Sequence, residues 1–150
     1  MYDNVYSNVS QNPDRQLENL HTSKEHTFID FGSDEYTDGK PHPMIDPSQR
    51  IELFMKEAKD PEVGVIILDF VLGFGAHEDP VGMMAPYIQQ AIADAKDEGR
   101  HLEVLGYILG TELDDQNIED QMDKLIASGA THSSSSQNTV LLARGFVNKS

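Results

Sequence analysis

Apolar and polar positions divide the chain into alternating strand-like and helix-like stretches. The central one is Val65-Ile66-Ile67-Leu68-Asp69-Phe70-Val71, a run rich in β-branched residues that reads as a strand covered on both faces. It leads into Gly73-Phe74-Gly75-Ala76-His77, where two glycines permit a sharp turn. Asp79-Pro80 then supplies an N-cap and a first-turn proline for a helix. That helix carries Met84, Tyr87, Ile88, Ala91, Ile92 and Ala95 at helical spacing and ends at Gly99. Residues 26–31 predict an earlier strand, and residues 32–43 a long loop full of turn formers. Asp46-Pro47 repeats the helix start, and Ile51, Phe54, Met55 and Ala58 form an apolar stripe that Asp60-Pro61 ends. Residues 102–109 predict the next strand. Asp114 and Asp115 offer caps for a helix with Ile118, Met122, Leu125 and Ile126 inward, closed by Gly129. Residues 130–133 read as a short, poor strand, and Ser134, Ser135 and Ser136 as caps of a last helix carrying Val140, Leu141 and Leu142.

Before residue 26 the chain is polar and weakly periodic. Residues 1–25 are read as an arm or linker, with Val5-Tyr6-Ser7-Asn8-Val9 as an alternative short strand. The remainder, 26–150, repeats strand, loop and helix. That order implies a mostly parallel α/β sheet with right-handed crossovers and helices on both faces. Such sheets bind ligands outside the carboxyl ends of their strands. Here those ends are residues 32–43, 73–79, 110–117 and 133–136, all rich in Gly, Ser, Thr, Asp or His.

Composition narrows the partners. The 150 residues suit one domain, and the formal charge of −15 argues against a nucleic-acid backbone or an anionic membrane surface as partner. No cysteine is present, so disulfides and thiolate metal sites are excluded. The polar opening Met1-Tyr2-Asp3-Asn4 is no signal peptide, and a soluble cytoplasmic protein is the expectation.

The candidate chemistry lies in the carboxyl-end loops. Strand, glycine turn and helix N-terminus together make an anion site, with free N–H groups and the helix dipole directed into the turn. The plainer alternative is a βα connection that needed glycine. His42 and His77 lie in these loops and suit proton relay or phosphoryl acceptance. Asp34, Glu35, Asp38, Glu78 and Asp79 gather on the same rim, where carboxylates and phosphate together would suit Mg²⁺; a solvated, capped acidic edge is the plainer reading. Asp69, inside an apolar strand, reads as a buried carboxylate that is either hydrogen-bonded to a neighbouring loop or part of the site. No Walker loop, nucleophile elbow or complete G-x-G-x-x-G is present.

Three stretches carry a family resemblance: Asp30-Phe31-Gly32-Ser33-Asp34-Glu35-Tyr36-Thr37, Lys40-Pro41-His42-Pro43-Met44-Ile45-Asp46-Pro47, and Leu72-Gly73-Phe74-Gly75-Ala76-His77-Glu78-Asp79-Pro80. They resemble the C-terminal part of the FdrA family, acyl-CoA synthetase-like proteins of the succinyl-CoA synthetase superfamily. The order of elements is also similar to that superfamily's CoA-ligase domain. The resemblance implies a flavodoxin-like three-layer sandwich that offers a helix N-terminus to phosphate. It implies that Gly32, Ser33, His42, Gly73, Phe74, Gly75, Ala76, Gly110, Thr111 and Glu112 bind phosphate or substrate, with His77 the one substitute for the superfamily's phosphorylated histidine. It further implies phosphate, CoA or Mg²⁺ in a full assembly. Another chain or domain would supply the CoA- and nucleotide-binding parts, and the substrate would be a small anion. In the family one more strand–helix unit normally precedes the Val5-Tyr6-Ser7-Asn8-Val9 segment, so this chain resembles a fragment that needs a partner, or a non-catalytic interaction piece. FdrA-type proteins are also associated with phosphorolysis of oxalurate to oxamate and carbamoyl phosphate, which makes a carbamoyltransferase component an alternative.

Overall fold

The computed structural model describes residues 4–19, 21–39 and 41–147. Residues 1–3 and 20 of the arm, Lys40 of the long loop and residues 148–150 of the α/β region lie outside the described residues. The elements are β1 (Val5–Ser7), a 3-10 turn (Pro13–Arg15), β2 (His26–Phe28), α1 (Asp34–Thr37), α2 (Ser48–Ala58), β3 (Val65–Val71), α3 (Pro80–Asp97), β4 (Glu103–Leu109), α4 (Ile118–Ala127), β5 (Thr131–His132) and α5 (Ser136–Val147). All strand pairs are parallel. They form a three-stranded sheet in the order β3-β4-β5 and a separate pair, β1-β2. Mixed α/β structure with parallel-only sheets agrees with the flavodoxin-like, mostly parallel architecture expected from the sequence.

Side-chain alternation gives the larger sheet two unlike faces. Leu68 and Phe70 of β3 and Val104 of β4 point to one face, where Phe54 and Ala58 of α2, Val81, Met84 and Ile88 of α3 and Leu125 of α4 close the core. Gly106 lies under Leu125 so closely that an added Cβ would stand 2.8 Å from Leu125 Cδ2. The opposite face carries Ile67 and Asp69 of β3 with their register partners Leu105 and Tyr107 of β4. α5 packs there against β3 and β4, and Leu105 is fully buried.

Several elements depart from the sequence pattern. The expectation that β3 is covered on both faces is corrected: Ile67 and Asp69 are exposed, because among the described residues α5 is the one helix outside the core cluster that packs on β3. Asp69 is therefore no buried carboxylate; it pairs with Arg50 Nη2 at 3.2 Å. Of the two readings for residues 5–9, the structure has the strand, with Val5, Tyr6 and Ser7 in register with His26, Thr27 and Phe28. β2 stops at Phe28, and the long loop contains α1, whose Tyr36 is buried with its ring centroid 4.8 Å from that of Phe31. α2 begins at Ser48, because Asp46 Oδ1 accepts the Ser48 amide in a local turn and leaves Pro47 at the cap position. α4 is capped by Asn117 rather than by Asp114 or Asp115, and it is rotated so that Gln121 and Leu125 face inward and Ile126 is exposed. In α5 the buried residue is Thr139, while Val140, Leu141 and Leu142 face solvent. Among the described residues no helix is long and apolar enough to cross a membrane.

Candidate functional site

The loop from Leu72 to Asp79 leaves β3 at its carboxyl end and enters α3. Gly73 (φ 122°) and Gly75 (φ 83°) both take left-handed conformations that L side chains avoid, so this turn requires glycine. The turn closes on itself, with the Ala76 amide donating to Gly73 O at 3.1 Å. Phe74, between the glycines, is fully exposed. An added Cβ on Gly75 would have nothing within 4 Å, so the turn is open on that side. The Phe74 and Gly75 amides have no hydrogen-bond partner among the described residues.

A buried carboxamide fixes this loop from behind. Gln116 Oε1 accepts the Gly73 amide at 3.1 Å, and Gln116 Nε2 donates to Gly73 O at 3.0 Å and His77 O at 3.2 Å. Asn8 does the same work after β2. Its Oδ1 accepts the Asp30 amide at 2.9 Å, while Nδ2 donates to Asp30 O at 2.8 Å and Ser33 Oγ at 2.9 Å. Sequence pattern passes over both residues, since a lone amide next to a turn former reads as loop.

The N-terminus of α3 corrects one expectation. Its amides are not free. The Val81 amide donates to Gln121 Oε1 at 3.0 Å, Gly82 to Asp79 Oδ1 at 3.1 Å and Met83 to Asp79 O at 3.1 Å. Asp79 Oδ1 also accepts from Gln121 Nε2 at 2.8 Å and Lys124 Nζ at 3.0 Å. Burial pushes the Asp79 carboxyl up, but the hydrogen bonds from Gln121, Lys124 and Gly82 and the Lys124 charge outweigh it and hold it below its ordinary value. Lys124 is held above its ordinary value, first by its hydrogen bonds to Asp120 and Asp79. The helix end thus carries its own carboxylate where an external anion was expected.

His77 lies at the seam between loops. Its amide donates to Met44 O at 2.7 Å, which ties the 42–46 turn to the glycine loop. Its Nδ1 accepts the Asp79 amide at 2.9 Å, so the neutral ring carries its proton on Nε2. Asp46 is near enough that the His77 charge helps to lower its carboxyl, after the larger effect of its hydrogen bonds from Ser48. His42 accepts the Met44 amide at Nδ1, 3.2 Å, and its Nε2 lies 3.2 Å from where a Cβ on Gly32 would stand.

The other expected site residues divide in two. Gly32 and Ser33 lie beside His42 in the segment held by Asn8, with the Gly32 amide donating to Asp30 Oδ1 at 2.8 Å. Gly110, Thr111 and Glu112 reach the glycine loop through the segment that ends at Gln116. There the Asp114 carboxylate accepts the Thr111 amide at 2.6 Å and the Thr111 hydroxyl at 3.2 Å. Gly110 has a packing reason to be glycine, since a Cβ would stand 2.7 Å from Leu72 Cδ1. The acidic rim does not converge: among the described residues no three His, Asp or Glu side chains are placed to hold a metal ion, and Asp79 is taken up by its cap and by Lys124. These donors do not fit a resident Mg²⁺.

The glycine turn thus lies at the carboxyl end of a strand of a parallel α/β sheet, where such sheets bind ligands. The CoA-ligase family model matches residues 10–146, and the chain belongs to that family. It is 53% identical over 145 residues to the uncharacterized protein YahF of Escherichia coli (strain K12). That match covers 97% of this chain and 28% of YahF, so the chain spans little more than a quarter of its relative's length.

Proposed function

We propose that the chain is the phosphate-side domain of an acyl-CoA synthetase-like protein, holding a phosphoryl group on the main-chain amides of Phe74 and Gly75. One observation supports this reading: among the described residues the glycine turn after β3 leaves those two amides unpartnered while Gln116 holds the turn from behind. Adjacent amides in a turn with positive φ make a concave, preorganised anion site. The α3 dipole adds to its field although the α3 amides are already used. His77 enters as a donor through Nε2–H, not as the phosphorylated residue, because its Nδ1 lone pair is taken by the hydrogen bond from the Asp79 amide. Gly32, Ser33 and His42 form the flank toward the rest of an anionic substrate.

The motif strings around residues 30–37, 40–47 and 72–80 support an FdrA-type member of the family. A cytoplasmic assembly follows from that reading, with another chain or domain supplying the CoA- and nucleotide-binding parts. Carbamoyl phosphate is the ligand that would separate the oxalurate-type reaction from acyl phosphate chemistry. A purely structural, non-catalytic role is the second reading, favoured by the exposed apolar residues of α5.

Titration of the ¹⁵N-labelled chain with inorganic phosphate and then carbamoyl phosphate tests the site. Saturable shifts centred on the Phe74 and Gly75 amides and on the His77 ring are expected, and they should disappear in Gly75→Val with the rest of the spectrum retained. Saturable shifts elsewhere, or none, would refute the phosphoryl reading.

A further inference from the structure

We propose that the cleft at the carboxyl end of β5 binds a small uncharged amphiphile, whose polar head both donates and accepts hydrogen bonds and whose tail is a short aliphatic chain. The cleft has a volume of about 510 Å³ and is lined by His132, Ser133, Ser134, Asn138, Leu141 and Leu142. That volume falls in the ordinary range of small-molecule sites, about 300–1,000 Å³. Carboxyl ends of parallel strands are where such sheets bind ligands. β4 separates β5 from the strand that carries the glycine turn, and the proposal does not rest on phosphoryl binding.

Local hydrogen bonds hold the wall of the cleft in shape. β5 ends at His132, and the Ser133 amide donates to Gly106 O at 2.8 Å, which fixes where the chain leaves the sheet. Ser133 is buried, and its hydroxyl donates to Ser135 O at 3.2 Å. The hydroxyl of buried Thr139 donates to the same carbonyl at 2.8 Å. Asn138 Nδ2 donates to Ser134 Oγ at 2.9 Å, and the Asn138 amide donates to Ser135 Oγ at 3.2 Å. The outer groups stay open: the Ser134 O–H and Asn138 Oδ1 have no partner among the described residues. Leu141 and Leu142 follow Asn138 at i+3 and i+4, so apolar and polar groups share one side of α5. Both leucines are exposed, at 56% and 40%.

The lining selects the head by what it lacks. Charged residues make up 25% of the chain, yet none of the lining residues is Asp, Glu, Lys or Arg. A carboxylate or phosphate would find no basic side chain there and would face a chain of charge −15. An ammonium would find no carboxylate to pair with. The Ser134 O–H offers a donor and Asn138 Oδ1 an acceptor, which a primary amide or an alcohol answers together. The leucines then bury the tail, in the mixed apolar and polar lining usual for small-molecule sites.

Titration of the ¹⁵N-labelled full chain with pentanamide, propanamide, pentanoate and pentylamine tests the site. Pentanamide should give saturable shifts centred on the Ser134, Asn138 and Leu141 amides. Propanamide should bind about tenfold more weakly, because each buried CH₂ contributes about fourfold. Pentanoate and pentylamine should be weaker than pentanamide by at least about tenfold. Leu141→Ser should erase the preference for the longer tail, and Asn138→Asp should turn the preference from pentanamide to pentylamine. Equal affinity for the differently charged heads, shifts spread over the surface, no shifts at all, or a tail preference that survives Leu141→Ser would overturn the proposal.

Discussion

Gln116 holds both main-chain groups of Gly73, its Oε1 accepting the amide at 3.1 Å and its Nε2 donating to the carbonyl at 3.0 Å. The same Nε2 reaches His77 O at 3.2 Å, so one buried side chain spans both ends of the glycine loop. Gln116→Leu keeps the volume and removes every one of these bonds. Leaving buried backbone groups unpaired costs about 1–3 kcal/mol. Urea unfolding should show a loss of that size, and exchange of the Gly73 amide should accelerate well beyond the global change. Unaltered exchange at Gly73 would mean that the turn is rigid by itself.

The acid limb of the stability curve should contain a contribution from Asp79. Its carboxyl is lowered in the folded chain by Gln121, Lys124 and Gly82 against the opposing effect of burial. A carboxyl depressed on folding stabilises fully above its unfolded value of about 3.9 and loses that contribution as pH falls through the folded value. Asp79→Asn keeps an N-cap acceptor and discards the charge. The gap in urea midpoint between the natural chain and Asp79→Asn should be widest near neutrality and close as pH drops below the ordinary carboxylate range. Lys124 acts at the other limb, where its raised value means that stability is lost as pH rises through it. A gap that stays constant with pH would show that Asp79 works by shape alone.

Two glycines at the carboxyl edge should respond differently to alanine. At Gly110 the new Cβ would meet Leu72 Cδ1 at 2.7 Å and Leu72 Cβ at 2.9 Å, and overpacking of this kind costs about 1–3 kcal/mol. At Gly75 the space is open, and the cost is that of a left-handed alanine, about 1–2 kcal/mol. Gly110→Ala should therefore lower the melting temperature and leave phosphate shifts at Phe74 intact, whereas Gly75→Ala should also weaken those shifts. Equal effects of both on binding would tie Gly110 to the ligand after all.

Long-range order was legible where one residue's chemistry decides the local structure. Asp79 caps α3 through Gly82 N, Pro80 opens it, and Gly99 follows it at φ 74°, all as the pattern implies. What the pattern could not show depends on contacts distant in sequence. The apolar run of β3 looks the same whether one face or two are covered, and only the placement of α5 reveals that Ile67 is exposed. α4 is turned so that Gln121, four residues before Leu125, faces inward; its inward position is set by Val81 N and Asp79, some 40 residues away. The glycine loop was legible as a turn, but the filling of the α3 N-terminus by Asp79, Gln121 and Lys124 was not.

Asn8 decides whether the polar opening of the chain folds with the rest. It is buried, and its carboxamide takes the Asp30 amide and donates to Asp30 O and Ser33 Oγ, 22 and 25 residues onward. Beside it, β1 pairs in parallel with β2, and the Leu17 amide returns to Ser7 O at 3.1 Å. A linker would make none of these contacts. Asn8→Ala removes the carboxamide and leaves the Asp30 groups without their partner, at about 1–3 kcal/mol. The loss should appear as faster amide exchange through residues 26–33 and as proteolytic cutting between Ser10 and Lys24. If cleavage there is equally fast in the natural chain, or if the substitution moves neither readout, the segment before β2 contributes nothing to the position of Gly32 and Ser33.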